Sequence, residues 1–239
     1  MSQPYENLSP SLGVRHNAFG DPIGKALPDW QACTRLPNVP LTGRYCQLVP
    51  YAPALAEALY RAYAADDGRM WTYLPYGPFS GPAQMHEVLQ TYIDNRDFQT
   101  FVILKNDQPA GLISFMRYDY PNGSVEVGGV TFSPTLRRST AATEAIYLMT
   151  RHAFAHDYRR YEWKCDQLNV PSNKAALRFG FQFEGVFRNA AVVHGRRRDT
   201  AWYAIIAEDW PRLSARLEAW LDPGNFAADG QQKRALSAF

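Results

Sequence analysis

The chain is poor in cysteine. Cys33, Cys46 and Cys165 are the three it has; they lie far apart and no two form a Cys-x-x-Cys pair, which argues for reduced thiols and against a disulfide framework. No stretch approaches the roughly 20 apolar residues that span a bilayer as a helix. The opening Met1-Ser2-Gln3-Pro4-Tyr5-Glu6 has no basic stretch leading into an apolar one, so no secretory leader is expected. Charge of either sign is not in excess: 25 Lys and Arg against 23 Asp and Glu leave +2, too little to imply a nucleic-acid or membrane partner. Internal repeats, low-complexity runs and a Gly-rich phosphate loop are also missing. The expectation is a soluble cytoplasmic protein with no membrane or nucleic-acid partner; a homodimer is compatible with it.

What is present is core material. Of 239 residues, 46% are hydrophobic and 14% aromatic, enough for one large domain with appendages. Six prolines between Pro4 and Pro40, with little periodicity, read as an irregular N-terminal arm over residues 1–43. A first strand is expected from Arg44 to Pro50. A helix follows from Pro53, with Leu55, Ala58, Leu59, Ala62 and Tyr63 on one face, and a second from Pro82 to Asn95. Between them lies a loop dense in aromatics and prolines, Trp71 to Phe79.

Three strands, Gln99–Leu104, Ala110–Tyr118 and Ser124–Phe132, are separated by turn residues at Asn106-Asp107 and Pro121-Asn122-Gly123, which predicts an antiparallel meander. A third helix is expected from Thr140 to His156, a strand from Arg160 to Asp166, and a short helix ending at Gly180. A hairpin turning at His194-Gly195-Arg196 and a last helix, Pro211–Leu221, complete the pattern. The expected division is an arm (1–43), a domain (44–210) and a C-terminal helix with an irregular tail (211–239).

The informative junction is Arg137-Arg138-Ser139-Thr140-Ala141-Ala142, where an apolar strand gives way to a helix. Free N–H groups at a helix start, with two arginines and two hydroxyls, suit a phosphorylated ligand. A helix N-terminus with surface arginines is the plainer reading.

Arg137-x-x-Thr140-x-Ala142, the run Thr143-Glu144-Ala145, Asn169-x-x-Ser172 followed by Gly180-Phe181, and Glu184-Gly185-x-x-Arg188 occur in that order. Together they resemble the GNAT superfamily of acetyl-CoA-dependent N-acetyltransferases, in particular the branch containing the ribosomal-protein N-terminal acetyltransferases. The resemblance covers roughly residues 41 to 210. It implies an α+β fold: a mixed, mostly antiparallel sheet with helices on both faces and a splayed pair of parallel central strands, Ser124–Phe132 and Arg160–Asp166. It implies acetyl-CoA as co-substrate, held by Val130, Thr131 and Phe132 of the splayed strand and by Arg137, Arg138, Ser139, Thr140, Ala141 and Ala142 at the pyrophosphate. The acceptor would be an amine, on a small molecule or a peptide N-terminus. Thr140 stands where the family carries glycine; a β-branched residue tolerates positive φ badly, so the turn serves only if Thr140 is already helical.

The remaining assignments keep two readings each. Asn169 and Ser172 suit capping of the short helix; the resemblance implies that Asn169 contacts the pantetheine arm and that Ser172 protonates the leaving thiolate. Glu126, a carboxylate within a strand, is a candidate general base or half of an ion pair, with Tyr118 and Asp119 as weaker bases. Trp71, Tyr73, Tyr76 and Phe79 line the acceptor cleft or pin their loop to the core. His152 and His156 have a zinc spacing but lack a third ligand, so solvated histidines and no metal are expected. Arg196-Arg197-Arg198 reads as a solvated hairpin tip, and Cys165 as a buried strand residue. Two rival classes remain: a catalytically inactive acyl-CoA-binding module of the same fold, and a nucleotide-binding α/β protein, which the hairpins disfavour.

Overall fold

The computed structural model describes residues 15–94 and 98–239. The described residues divide into two units, one ending at Ala32 and the other beginning at Cys33. In the first, β1 (Arg15–His16) pairs antiparallel with β2 (Pro22–Ile23).

The second unit is built on an eight-stranded sheet. Its strands are β3 (Leu41–Thr42), β4 (Gln47–Pro50), β5 (Gln99–Lys105), β6 (Gln108–Asp119), β7 (Ser124–Phe132), β8 (Arg160–Asp166), β9 (Gln182–Val193) and β10 (Arg196–Ile206), in the order β3-β4-β5-β6-β7-β8-β10-β9. All neighbours run antiparallel except β7 and β8. Tight turns set the meander. Asn106 and Asp107 both take positive φ, as do His194 and Gly195, so each hairpin closes on two left-handed residues whose twist matches the strands.

Side chains alternate along β5 and β6, and the sheet is covered on both sides. Val102 and Leu112 pack with Leu59 and Tyr63 of α1 (Ala56–Tyr63) and Met85 and Leu89 of α2 (Pro82–Asp94). Phe101, Ile103, Ile113 and Phe115 point the other way, into a larger core with α3 (Thr140–Phe154), α4 (Val170–Phe179) and α5 (Trp210–Leu221). Gly180 ends α4 at φ +98, and the buried Phe181 follows it, its N–H bonded to the Ala176 carbonyl.

Two expectations are corrected. Arg44–Cys46 form a turn, not the start of β4, because the buried carboxylate of Glu144 on α3 accepts their three backbone N–H groups at 2.8, 2.6 and 2.8 Å. His152 is not solvated: it is buried beside Phe115, with Nε2 3.2 Å from the Pro37 carbonyl, and burial lowers its pKa. The tail after α5 has little regular structure and is tied down, since the buried Asn225 side chain donates to the Trp220 and Arg234 carbonyls and accepts from the Arg234 N–H.

The β7–β8 pair positions the site. Its parallel ladder runs from Ser124↔Arg160 to Val127↔Trp163 and stops, although both strands continue. The cause lies on the other edge of β7. Gly128 pairs with Ser114 and Thr131 with Leu112, so Gly129 and Val130 oppose Ile113 alone. Gly129 takes φ +59, a left-handed conformation suited to glycine at a bulge. The bulge bends β7 away from β8 and leaves a wedge between them.

Candidate active site

The wedge opens into a cleft of about 330 Å³. Its walls bring together Glu126 and Val130 of β7, Asn169 and Ser172 at the start of α4, and Tyr73 and Tyr76 from the aromatic loop. Three hydrogen bonds roof it. Tyr73 Oη donates to the Leu168 carbonyl (3.1 Å), Arg196 to the Thr72 carbonyl (3.2 Å), and His194 Nε2 lies 2.9 Å from the Leu74 carbonyl. The β9–β10 hairpin tip is therefore part of the enclosure.

Trp71 and Phe79 are not among the lining residues. Trp71 is buried edge-on against Tyr63 and Phe79, in the core beneath α1 and α2. Tyr118 and Asp119 are also elsewhere. Tyr118 Oη donates to Gln99, and Asp119 accepts from the backbone and side chain of Asn122.

Glu126 is 5% exposed. Lys164 Nζ lies 2.9 Å from its Oε2, and Arg117 Nε lies 3.6 Å away. Both cations lie against Oε2, so this buried oxygen is held by ion pairs with Lys164 and Arg117. Burial raises the carboxyl pKa, and Lys164 and Arg117 offset only part of the rise.

The lysine belongs to a longer array. Arg160, Glu162 and Lys164 alternate along one face of β8 while Tyr161, Trp163 and Cys165 enter the core from the other. Lys164 also reaches Glu162 at 2.7 Å and lies 3.7 Å from the Trp202 ring centroid. Arg160 bridges Glu162 (2.7 Å) and Glu184 (2.5 Å).

At α4, Asn169 caps the helix by accepting the Ser172 N–H at 3.2 Å. Ser172 Oγ accepts from Trp163 Nε1 at 3.0 Å. Indole nitrogen is donor only, so the serine proton remains available to donate elsewhere. Cys165 also lines the cleft, but burial raises its thiol pKa, which disfavours the thiolate.

The phosphate-type turn lies outside this cleft. Arg138, Ser139, Thr140 and Ala141 edge a separate concavity with Arg44 and Lys105. Arg138 carries the positive φ (+57), and Thr140 is the first residue of α3, so glycine is not required there. Ser139 caps the helix, its Oγ accepting the Ala142 N–H at 3.2 Å. The N–H groups of Thr140 and Ala141 belong to the first turn, where no intrahelical acceptor exists. Arg137 is occupied: it pairs with Asp66 and donates to the Phe132 carbonyl at 3.0 Å. Burial would raise the Asp66 pKa, but hydrogen bonds from Arg137 and from backbone N–H groups outweigh it and hold the carboxyl low. Thr131 is buried, its hydroxyl 2.7 Å from Tyr63 Oη; Phe132 packs on the larger core, and Ala142 is buried in it.

Sequence reasoning missed Arg117, Lys164, Arg198, Thr200 and Trp202, all of which line the cleft. The alternation of charges on β8 opposite an apolar face was the available signal for Lys164. Among the described residues, no group of three or more His, Cys, Asp or Glu is arranged to hold a metal ion, and no helix is long and apolar enough to cross a membrane.

Comparison with known proteins gives a consistent result. Residues 46–182 match the family model described as an acetyltransferase (GNAT) domain. A crystal structure of a GCN5-related N-acetyltransferase from Brucella melitensis is 37% identical, with a TM-score of 0.86 over 89% of this chain and 98% of that one. The ribosomal-protein-serine acetyltransferase of Escherichia coli is 31% identical over 109 residues, 45% of this chain and 60% of that protein. RimJ of Mycobacterium smegmatis, in complex with CoA-disulfide, shares the fold at 22% identity and a TM-score of 0.63, over 73% of this chain and 88% of that one.

Proposed function

Because the chain belongs to the GNAT acetyltransferase family, we propose that it moves an acetyl group from acetyl-CoA to a primary amine, on a peptide N-terminus or a small molecule, by direct transfer in a ternary complex. The observation that carries the reading is Glu126: a buried carboxylate at the mouth of the β7–β8 wedge, in the wall of the cleft. A buried carboxylate that faces the cleft and whose pKa burial raises suits a proton acceptor.

The residues fit the co-substrate. Beyond Val127 the edge of β7 has lost its β8 partner, so its backbone can take an extended pantetheine arm as an added strand. The Thr140 and Ala141 N–H groups, with Arg138 beside them, suit the diphosphate. Acetyl-CoA supplies an activated acetyl carbonyl and a thiol leaving group.

Glu126 takes the proton from the acceptor ammonium, which frees the nitrogen lone pair for attack. Backbone donors on the unpaired edge of β7 stabilise the negative charge that develops on the carbonyl oxygen. Ser172, held by Trp163 Nε1, donates its proton to the departing sulfur, and the proton that the nitrogen sheds as the amide forms restores the hydroxyl. Asn169 holds the α4 start beside it, and Tyr73 and Tyr76 wall the acceptor side. The test is calorimetric binding of acetyl-CoA followed by thiol release across a panel of amines. Binding and amine-dependent thiol release are expected; binding without release from any amine would leave a coenzyme-binding module.

A further inference from the structure

Of the three arginines that begin β10, two are satisfied by the protein. Arg196 donates to the Thr72 carbonyl, and Arg197 pairs with Asp199 at 2.6 Å. Arg198 differs. The β9–β10 register shifts between Arg198 and Thr200, and Arg198 is half-buried in the cleft wall with Thr200 and Trp202 of the same strand. Among the described residues it has no carboxylate within ion-pair distance, and its Nε is buried without an acceptor. Trp202 Nε1 is likewise a buried donor with no acceptor. Among the described residues no carboxylate takes the terminal nitrogens of this guanidinium, so a ligand in the cleft can complete it.

The other charges of the cleft narrow that ligand. Lys164 is held between Glu126 and Glu162, and Asp166 accepts the Leu168 N–H. Arg117 pairs with Glu126 at 3.6 Å, which among the described residues leaves Arg198 as the cation without a carboxylate partner, in a cleft that also contains the carboxylates of Glu126 and Asp166. A dianion such as phosphate would be repelled by those carboxylates. A single carboxylate matches the planar fork of one guanidinium.

We propose that Arg198 is the anion anchor of the acceptor half of the cleft, so that the amine acetylated carries a carboxylate. The inference rests on the acetyltransfer reading and names its substrate class. The carboxylate has two sources: the α-carboxylate of a free amino acid, or an acidic side chain near a peptide N-terminus.

The experiment compares matched acceptors: free amino acids against their amides, and short peptides beginning with acidic residues against the same peptides with the neutral amide side chains. Each is measured by steady-state kinetics and by calorimetry in the presence of coenzyme A, in wild type, Arg198→Gln and Arg198→Lys. Acetyl-CoA affinity of each variant reports that it is folded. Wild type should favour the carboxylate member of at least one series by about tenfold or more in kcat/KM. Arg198→Gln should bring that ratio close to one, mainly by raising KM, and Arg198→Lys should restore part of it. The series that shows the preference identifies the source. Acetylation with no carboxylate preference, or a preference that survives Arg198→Gln, overturns the anchor and leaves the transferase reading standing. Arg198-dependent binding of the carboxylate members with no turnover does the reverse. Neither binding nor turnover in either series removes both.

Discussion

Lys164 Nζ sits between two carboxylates, 2.9 Å from Glu126 and 2.7 Å from Glu162, and the two glutamates are register partners on the parallel strands β7 and β8. The geometry follows from the ladder: Glu126 and Glu162 face the same side, and the next residue of β8 on that side is Lys164. Its cation lets two like charges share one buried face. Glu162, pushed up by burial, is held below its ordinary pKa by the hydrogen bonds from Lys164 and Arg160, whereas Glu126 remains raised.

Lys164→Met should therefore move the acid limb of the kcat/KM profile to higher pH. The lysine favours the ionised form of Glu126; without it the carboxylate forms later as pH rises. Breaking the buried pair should also cost about 3 kcal/mol at neutral pH. For stability, a carboxyl whose folded pKa is raised disfavours the fold when ionised, so the deficit should shrink as pH falls through that raised pKa. An unmoved acid limb would separate Lys164 from the base.

Thr140 offers a clean test of the phosphate turn. It is the first residue of α3, and Ser139 before it is extended at φ −96, ψ 162, a conformation that a following proline accepts. Thr140→Pro should keep the fold and remove one N–H donor, weakening acetyl-CoA binding about tenfold. Thr140→Gly should stay within a few-fold. Calorimetry that finds equal, small effects from both would put the diphosphate elsewhere.

Glu144 should prove structural. Glu144→Ala orphans the N–H groups of Arg44, Tyr45 and Cys46 and should cost about 3 kcal/mol or more in thermal unfolding. A loss below about 1 kcal/mol would mean that water replaces the carboxylate freely.

The fold was readable where its causes are local. Two-residue turns at Asn106-Asp107 and His194-Gly195, alternation in β5 to β8 and the stop at Gly180 are all short-range signals. Arg44–Cys46 misread as strand because the group that holds the turn is Glu144, a hundred residues away along the chain. The same limit applies to the site. Glu126, Asn169 and Ser172 stood out by residue type and motif, and the structure gathers them with Tyr73 and Tyr76. Arg198 looked like a solvated tip because a register shift decides which face it takes. Trp71 and Tyr76 cannot be told apart in sequence, since packing on Tyr63 decides which of them enters the core.

The most direct measurement is the turnover of wild type and Glu126→Gln over a pH series, with acetyl-CoA affinity determined on the same samples and the acetylated amine identified by mass. The glutamine keeps the shape of the side chain and cannot take a proton. If Glu126 is the base, kcat falls on the order of 10²-fold while coenzyme affinity barely changes. Equal turnover by both proteins at every pH would contradict the assignment of Glu126, and no acetylated amine from wild type under any condition would contradict the proposed reaction itself.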